Sequence, residues 1–367
     1  MPNPAAVAIP DVFSIVPGQN LARQPVFSVL VKRTYDLVGS RLVRVERTAP
    51  FRIVDEYYQN GDPEWASIKR ETETFPWKLF TDVVFVGSAY APAAEPVEAL
   101  DASVDVAGAH KTIRVIGDRQ CEFTGERPVF TDPVPFTSME VRYERAYGGK
   151  DFFSLPEMPL YYPRNFVGTG FVVKNSRETV DGLKLPNLED PADPLTPARL
   201  VLESPYNWNE QPLPQGFGWF HRAWYPRCSF AGAYPPFVKL DELLREEELG
   251  LVPENQIILA RQMKLPSFDL RFNNGASPGL SLPYLHGDER ITLTHLTEDA
   301  VCAFALPGER PAMTLDIGMG EQDLDPVLHT VFIDGDARQV DLIWRGALQY
   351  PGVDWLPEMK RLVARAW

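Results

Sequence analysis

Six charged residues stand at the ends of apolar runs, close to glycines, and they concentrate the groups in this sequence that are able to do chemistry. They are Lys78, Asp82, Asp118, Arg119, Glu144 and Arg145. Lys78 precedes the run TDVVFVG at residues 81–87, Ile113-Arg114-Val115-Ile116 leads into Gly117-Asp118-Arg119, and Val141-Arg142-Tyr143 leads into Glu144-Arg145-Ala146-Tyr147-Gly148-Gly149. Two readings of this constellation stand. In the first, the charges are partly buried ion pairs that hold loops in register, because leaving one partner unpaired costs about 3–5 kcal/mol. In the second, they form a recognition or catalytic cluster, with Asp82, Arg119 and Arg145 around a pocket for a carbohydrate or a small acid.

The remaining candidates for chemistry are weaker. The histidines His110, His221, His286, His295 and His329 are never three or four residues apart, so no helix carries a metal-binding pair. His286, Asp288 and Glu289, with His295 nearby, offer ligand types on one loop, but the same residues read as a polar turn opening the strand 291–294. Asp334-Gly335-Asp336 lacks the glutamate that would close a calcium loop and reads as a hairpin turn whose Asp-Gly step supplies positive φ. Gly168-Thr169-Gly170-Phe171 lacks a third glycine and a following helix, and no Gly-Lys-Ser or Gly-Lys-Thr occurs, which leaves nucleotide binding unsupported. A His110–Cys121 pairing across a hairpin is the one Cys/His arrangement on offer. Carboxylate pairs such as Asp55-Glu56, or Glu140 with Glu144, carry no weight in a chain of 50 acidic residues. The expectation is a protein that is not an enzyme and uses no cofactor and no metal.

The elements that position these residues are mainly β. Residues 25–35 (PVFSVLVKRTY) form a β-branched and aromatic run, and Gly39 turns it into Leu42, Val43 and Val45. Leu100, Ala102, Val104 and Val106 alternate with polar residues, and Gly108 turns that strand into residues 111–116. A third hairpin joins residues 331–333 to 340–344. Helices are expected at 238–249, with Leu240, Leu243 and Leu244 on one face and Gly250 at its end, and at 355–367. Ten prolines between residues 151 and 215 exclude long regular elements there, while the embedded aromatics argue for a folded loop region. The expected fold is mainly β, a β-sandwich or open-barrel-like set of antiparallel sheets with long proline-rich loops and a few short helices. It spans residues 1–367 as one large domain, with 151–215 as the place where two lobes would divide.

A net charge of −14 repels nucleic-acid phosphates and anionic head groups and fits a partner with a basic face. The cysteines Cys121, Cys228 and Cys302 are odd in number and widely spaced, which indicates neither a disulfide framework nor a zinc knuckle. No leader-like N-terminus and no apolar run of about 18 residues is present. A cytoplasmic protein that binds neither nucleic acid nor membrane is expected.

The order of several phrases resembles one bacterial family, the DUF2169-type effector adaptors, or chaperones, of type VI secretion systems. They are Val29 to Tyr35, Lys78 with residues 81–92, Gly117-Asp118-Arg119, Tyr143-Glu144-Arg145-Ala146-Tyr147-Gly148-Gly149, Asn165 to Gly170, Leu185-Pro186-Asn187-Leu188-Glu189, Gly216-Phe217-Gly218, Trp224-Tyr225-Pro226-Arg227, residues 231–234 and 282–289, Phe304-Ala305-Leu306-Pro307 and Trp344-Arg345-Gly346. Tyr147 departs from the usual phenylalanine, Phe166 from the usual proline, and residues 235–260 diverge. The resemblance implies a cytoplasmic protein that binds a toxic effector and helps load it onto the VgrG/PAAR spike. It carries no catalytic residues over. On this basis the motif residues, including Gly148, Gly149, Trp344 and Arg345, are framework, and Leu240, Leu243, Leu244 and Glu247 of the divergent segment are the candidates for partner contact.

Overall fold

The computed structural model describes residues 12–58, 66–152, 160–173, 177–200, 208, 210–232, 268–352, 359 and 361–367. The expected helix at 238–249, with Leu240, Leu243, Leu244 and Glu247, lies outside the described residues. Within them the chain is mainly β, arranged in several open and mostly antiparallel sheets, and none closes into a barrel.

The largest sheet has seven described strands, in the order Val12–Gln19, Pro25–Val38, Gln339–Gln349, Val327–Asp334, Thr81–Val86 and Ser281–Leu282, with Arg41–Arg44 added to the Pro25–Val38 strand. Its neighbours are antiparallel except Val327–Asp334 and Thr81–Val86, which run parallel. Thr81–Val86 is buried at every position. That burial explains its unbroken apolar run, since a strand covered on both faces has no wet side to alternate with. A second sheet has the order Leu188–Glu189, Ala109–Ile116, Ala99–Val106, Arg290–Thr294 and Val301–Ala305. Val31, Val83, Phe85 and Leu342 of the first sheet and Val104, Ile113, Ile291 and Leu293 of the second belong to one apolar cluster.

All three expected hairpins form. Leu37 pairs with Leu42, Val106 with Ala109, and Asp334 with Gln339. The third differs in its turn chemistry. Its loop has four residues, and the positive φ falls on Arg338, at 51°, instead of on the Asp-Gly step. Gly335 is needed there for space: a Cβ would lie 2.6–2.7 Å from the Phe85 ring.

The C-terminus corrects the expected helix at 355–367. Val363–Ala366 is a strand on Met313–Asp316, pairing Met313 with Ala366, and Trp367 exchanges backbone hydrogen bonds with Ala312. Met313–Asp316 would otherwise expose a row of unpaired backbone groups, and filling that edge outweighs the helical spacing of Leu362, Val363 and Ala366. Residues 353–358 and 360 are not among those described.

Among its described residues the proline-rich middle contributes two-residue strands, the single turn of helix Arg177–Val180 and the 3-10 turn Pro197–Arg199. Its aromatics pack nonetheless. Tyr147, Tyr162, Phe171, Trp208 and Tyr225 form a second apolar cluster, with Tyr147 and Tyr162 edge to face at 5.0 Å.

Replacing Gly335 by Ala forces the new methyl group against Phe85, and the expected loss is about 1–3 kcal/mol. Urea unfolding of the variant beside Gly218→Ala, whose Cβ would meet only the Phe85 carbonyl oxygen, at 3.9 Å, measures it. Equal losses at both positions would contradict the steric account.

Candidate functional site

The six singled-out charges divide into two places. Lys78 and Asp82 are fully enclosed. Asp82 Oδ2 accepts hydrogen bonds from Lys78 Nζ at 2.7 Å and from the Gly275 amide at 3.0 Å, while Oδ1 accepts from Asn274 Nδ2 at 2.9 Å and Ser281 Oγ at 2.8 Å. Burial alone would raise the Asp82 carboxyl, but the Lys78 ammonium and these hydrogen bonds outweigh it and hold the group below its ordinary range. Lys78 Nζ also donates to Thr330 Oγ1 at 3.1 Å and lies 5.0 Å from the centre of the Trp219 ring.

The Lys78 backbone is fixed as firmly. Its amide donates to His329 Nε2 at 2.7 Å, and its carbonyl accepts from the Tyr284 hydroxyl. Arg345 stacks 3.7 Å from the centre of the Trp77 ring and reaches the same hydroxyl at 3.5 Å. Trp344 is buried against Gly287 with no hydrogen-bond acceptor for its Nε1 among the described residues. His329 is held neutral by burial and by the nearby Lys78 and Arg345, well below the usual histidine range. This cluster has no surface to offer a substrate.

Asp118, Arg119, Glu144 and Arg145 converge elsewhere. With Arg142 and Lys184 they line a polar cavity of about 670 Å³. The one-turn 3-10 helix Tyr143–Arg145 and the segment after Ala109–Ile116 bring them together. Gly117 permits that approach, since a Cβ there would collide with the Val134 carbonyl. Gly148 and Gly149 do not line the cavity; the Gly149 amide donates to the Asn165 carbonyl at 2.8 Å, and the Gly148 carbonyl accepts from the Phe171 amide at 3.0 Å.

The cavity residues are held to different degrees. Glu144 is locked, its two oxygens accepting the Ser67 amide and hydroxyl, each at 2.7 Å. Arg119 is paired with Glu189, whose carboxyl burial pushes up and Arg119 partly restores, and its guanidinium lies 5.4 Å from the Phe130 ring centre. Arg145 is looser: Nη1 donates to Asn187 Oδ1 at 3.1 Å, and its acidic neighbour Asp118, 75% exposed, is 3.5 Å away. Asp118 is steadied by Asn187 Nδ2 at 2.9 Å. The grouping of Asp82 with Arg119 and Arg145 around one pocket is therefore corrected. Asp82 is buried in the first sheet and does not line the cavity, because all its acceptor sites face the loops that it binds.

The other sequence candidates are engaged locally. Glu289 accepts the His286 and Gly287 amides at 2.6 and 2.9 Å, which makes that segment a capped turn. His110 bonds Asp105 and Thr112 in the hairpin turn region, at the far end of Ala109–Ile116 from Cys121. Among the described residues no group of three or more His, Cys, Asp or Glu side chains is arranged to hold a metal. One constellation escapes the sequence reading, although Gly275-Ala276-Ser277-Pro278-Gly279 has the Gly-x-Ser-x-Gly spacing that marks a nucleophile elbow when it joins a strand to a helix. Ser277 Oγ accepts from Lys111 Nζ at 2.5 Å and from the Tyr143 hydroxyl at 2.9 Å, and donates to the Gly216 carbonyl at 2.7 Å. Burial pulls the Lys111 ammonium down to about 7, which would suit a base, yet Ser277 has no exposed surface and so no access for a substrate. Lys111 and Ser277 are 166 residues apart, beyond the reach of any local pattern.

The geometry defines an open-sheet β protein with a fully satisfied ion pair in its interior and a partly open charged cavity at its strand ends. The chain belongs to the family described as an uncharacterized protein conserved in bacteria, DUF2169, whose model matches residues 22–345. No curated protein and no solved structure matches it.

Asp82→Ala strands the Lys78 ammonium in the interior, and the expected loss of stability is about 3–5 kcal/mol. The double replacement Lys78→Met with Asp82→Ala is expected to recover part of that loss in urea unfolding. A double variant as unstable as the sum of both single variants would refute the ion-pair account.

A second expectation concerns acid. Burial, then Arg227 and Arg222, hold His221 down to about 4, so the folded chain keeps neutral a ring that the unfolded chain protonates near pH 6.5. Its contribution to stability is complete above about pH 6.5 and is lost as the pH falls toward 4. His221→Asn keeps an acceptor for the Ala223 amide, bonded at 3.1 Å in the native chain, and should lose less stability than the native chain between about pH 6.5 and 5. Parallel slopes in denaturant titrations would show that His221 does not carry the effect.

Proposed function

We propose that the chain is a non-enzymatic adaptor that binds a type VI secretion effector in the cytoplasm and helps load it onto the VgrG/PAAR spike. The observation that carries this reading is the placement of the motif residues. Lys78, Asp82, Trp344 and Arg345 are enclosed by the fold, while Asp118, Arg119, Glu144 and Arg145 line a polar cavity. Such an arrangement supports holding a partner on a stiff β surface. The effector and the VgrG/PAAR spike enter this reading through the resemblance of the motif phrases alone.

In this reading the partner contacts include Leu240, Leu243, Leu244 and Glu247, at the centre of the divergent segment. The acidic balance of the chain, −14, favours partners with basic faces and disfavours nucleic acid and anionic membrane.

Co-expression with the effector and spike proteins encoded beside its gene, followed by size-exclusion chromatography, tests the proposal. Co-elution with the effector is expected, and Leu240→Ser with Leu243→Ser should weaken it by about tenfold or more without lowering the unfolding midpoint. A chain that elutes alone in the presence of both proteins would overturn the adaptor reading.

A further inference from the structure

The cavity at residues 117–145 holds cations that the fold does not fully use. Arg119 is pinned by Glu189 on one edge and the Phe130 ring on a face, yet its Nε is buried without an acceptor among the described residues. Arg145 presents the same pattern. One edge is engaged by Asn187 and, at 3.5 Å, by the largely exposed Asp118, and its Nε is also buried without an acceptor among the described residues. Lys184 lies exposed on the same wall. Four cations, Arg119, Arg142, Arg145 and Lys184, line the cavity against three carboxylates, Asp118, Asp132 and Glu144; Glu144 has both oxygens occupied by Ser67, and Asp118 accepts from Asn187. The buried Nε groups are out of reach of a ligand, but Arg119 engages Glu189 through Nη2 alone and Arg145 engages Asn187 and Asp118 through Nη1 alone, which leaves one Nη group of each for charge-assisted bonds to an incoming oxyanion.

We propose that this cavity is a receptor for a carboxylate presented by the protein partner, an acidic side chain or a chain terminus, bound by Arg119, Arg145 and Lys184. The inference rests on the adaptor reading for its source of carboxylate, since a protein partner offers that anion. The guanidinium groups are oriented before the ligand arrives, by Glu189 and Phe130 for Arg119 and by Asn187 for Arg145, which lowers the ordering cost of binding. Val134, 62% exposed beside the cavity, provides an apolar contact for residues flanking the acidic group. The site thus favours a short acidic segment with an apolar neighbour.

Glutarate, a mimic of a glutamate side chain, is the probe. Added to the full chain, it should shift the Nε–Hε signals of Arg119 and Arg145 saturably in proton–nitrogen correlation spectra, and the neutral glutaramide should not. Arg145→Gln and Lys184→Gln should each weaken glutarate by about tenfold, the change expected for one charge-assisted hydrogen bond. Lys184 is exposed, so its variant keeps the test valid if Arg145→Gln fails to fold. No saturable shift, an undiminished response in Lys184→Gln, or inorganic phosphate binding more tightly than glutarate would overturn the proposal. The two readings fail separately. A variant that no longer binds glutarate yet still co-elutes with the effector removes the carboxylate site and leaves the adaptor, whereas glutarate binding by a chain that captures no effector removes the adaptor.

Discussion

The desolvated contact between Lys78 and Asp82 is the constraint on which the first sheet depends. Thr81–Val86 is buried along its whole length, so a carboxylate in it survives only if every oxygen is satisfied inside the protein; an ion left in water's absence without partners costs several kcal/mol. Satisfying Asp82 recruits Asn274, Gly275 and Ser281 from one side and Lys78 from the other. Lys78 in turn reaches Thr330 on the parallel neighbour strand. Its own backbone is clamped by His329 and Tyr284. Segments separated by up to 252 residues are therefore placed by one ion pair and its hydrogen bonds, more tightly than the surrounding valines could place them, because apolar contact has no direction.

The same principle extends across the sheet in a graded way. Lys32 pairs with Glu73 at 2.7 Å, and Arg70 joins Asp334 at 2.8 Å and Asp341 at 3.3 Å, all largely buried. Glu71, enclosed and raised by burial against the pull of Arg227, Lys78 and Arg222, ties the 3-10 turn Arg227–Ala231 to this row. At the cavity the pairs loosen. The Arg145–Asp118 contact is long and half in solvent, and exposed pairs of that kind contribute about 0–1 kcal/mol. The fold does not rest on them, which leaves them available.

Much of this was legible in the sequence where the signal is local. The three hairpins follow from alternation and intervening turn residues. The charged strand ends read as framework or as site, and the structure distributes them over both an interior pair and a cavity. The failures share a cause. The Val363–Ala366 strand exists because Met313–Asp316, some 50 positions earlier, has an edge to fill, and no local spacing reports that. Asp334-Gly335 looked like a turn dictated by φ, whereas Gly335 answers to the distant Phe85 ring. Lys111 with Ser277, and Glu144 with Ser67, are likewise partners that only the tertiary fold brings together.

Adjacency in sequence also proves a poor guide to shared role. Glu144 and Arg145 are neighbours in one phrase, yet Glu144 is bound to Ser67 and Arg145 faces the cavity. The 3-10 turn Tyr143–Arg145 accounts for this, because successive side chains on such a turn diverge by about 120°. Tyr143 points inward to Ser277, Glu144 sideways to the loop that carries Ser67, and Arg145 outward to Asn187. One short motif thus serves the core, the rim and the open site at once. A substitution within it must be judged by direction: loss at Tyr143 or Glu144 acts through stability, and only loss at Arg145 isolates the cavity.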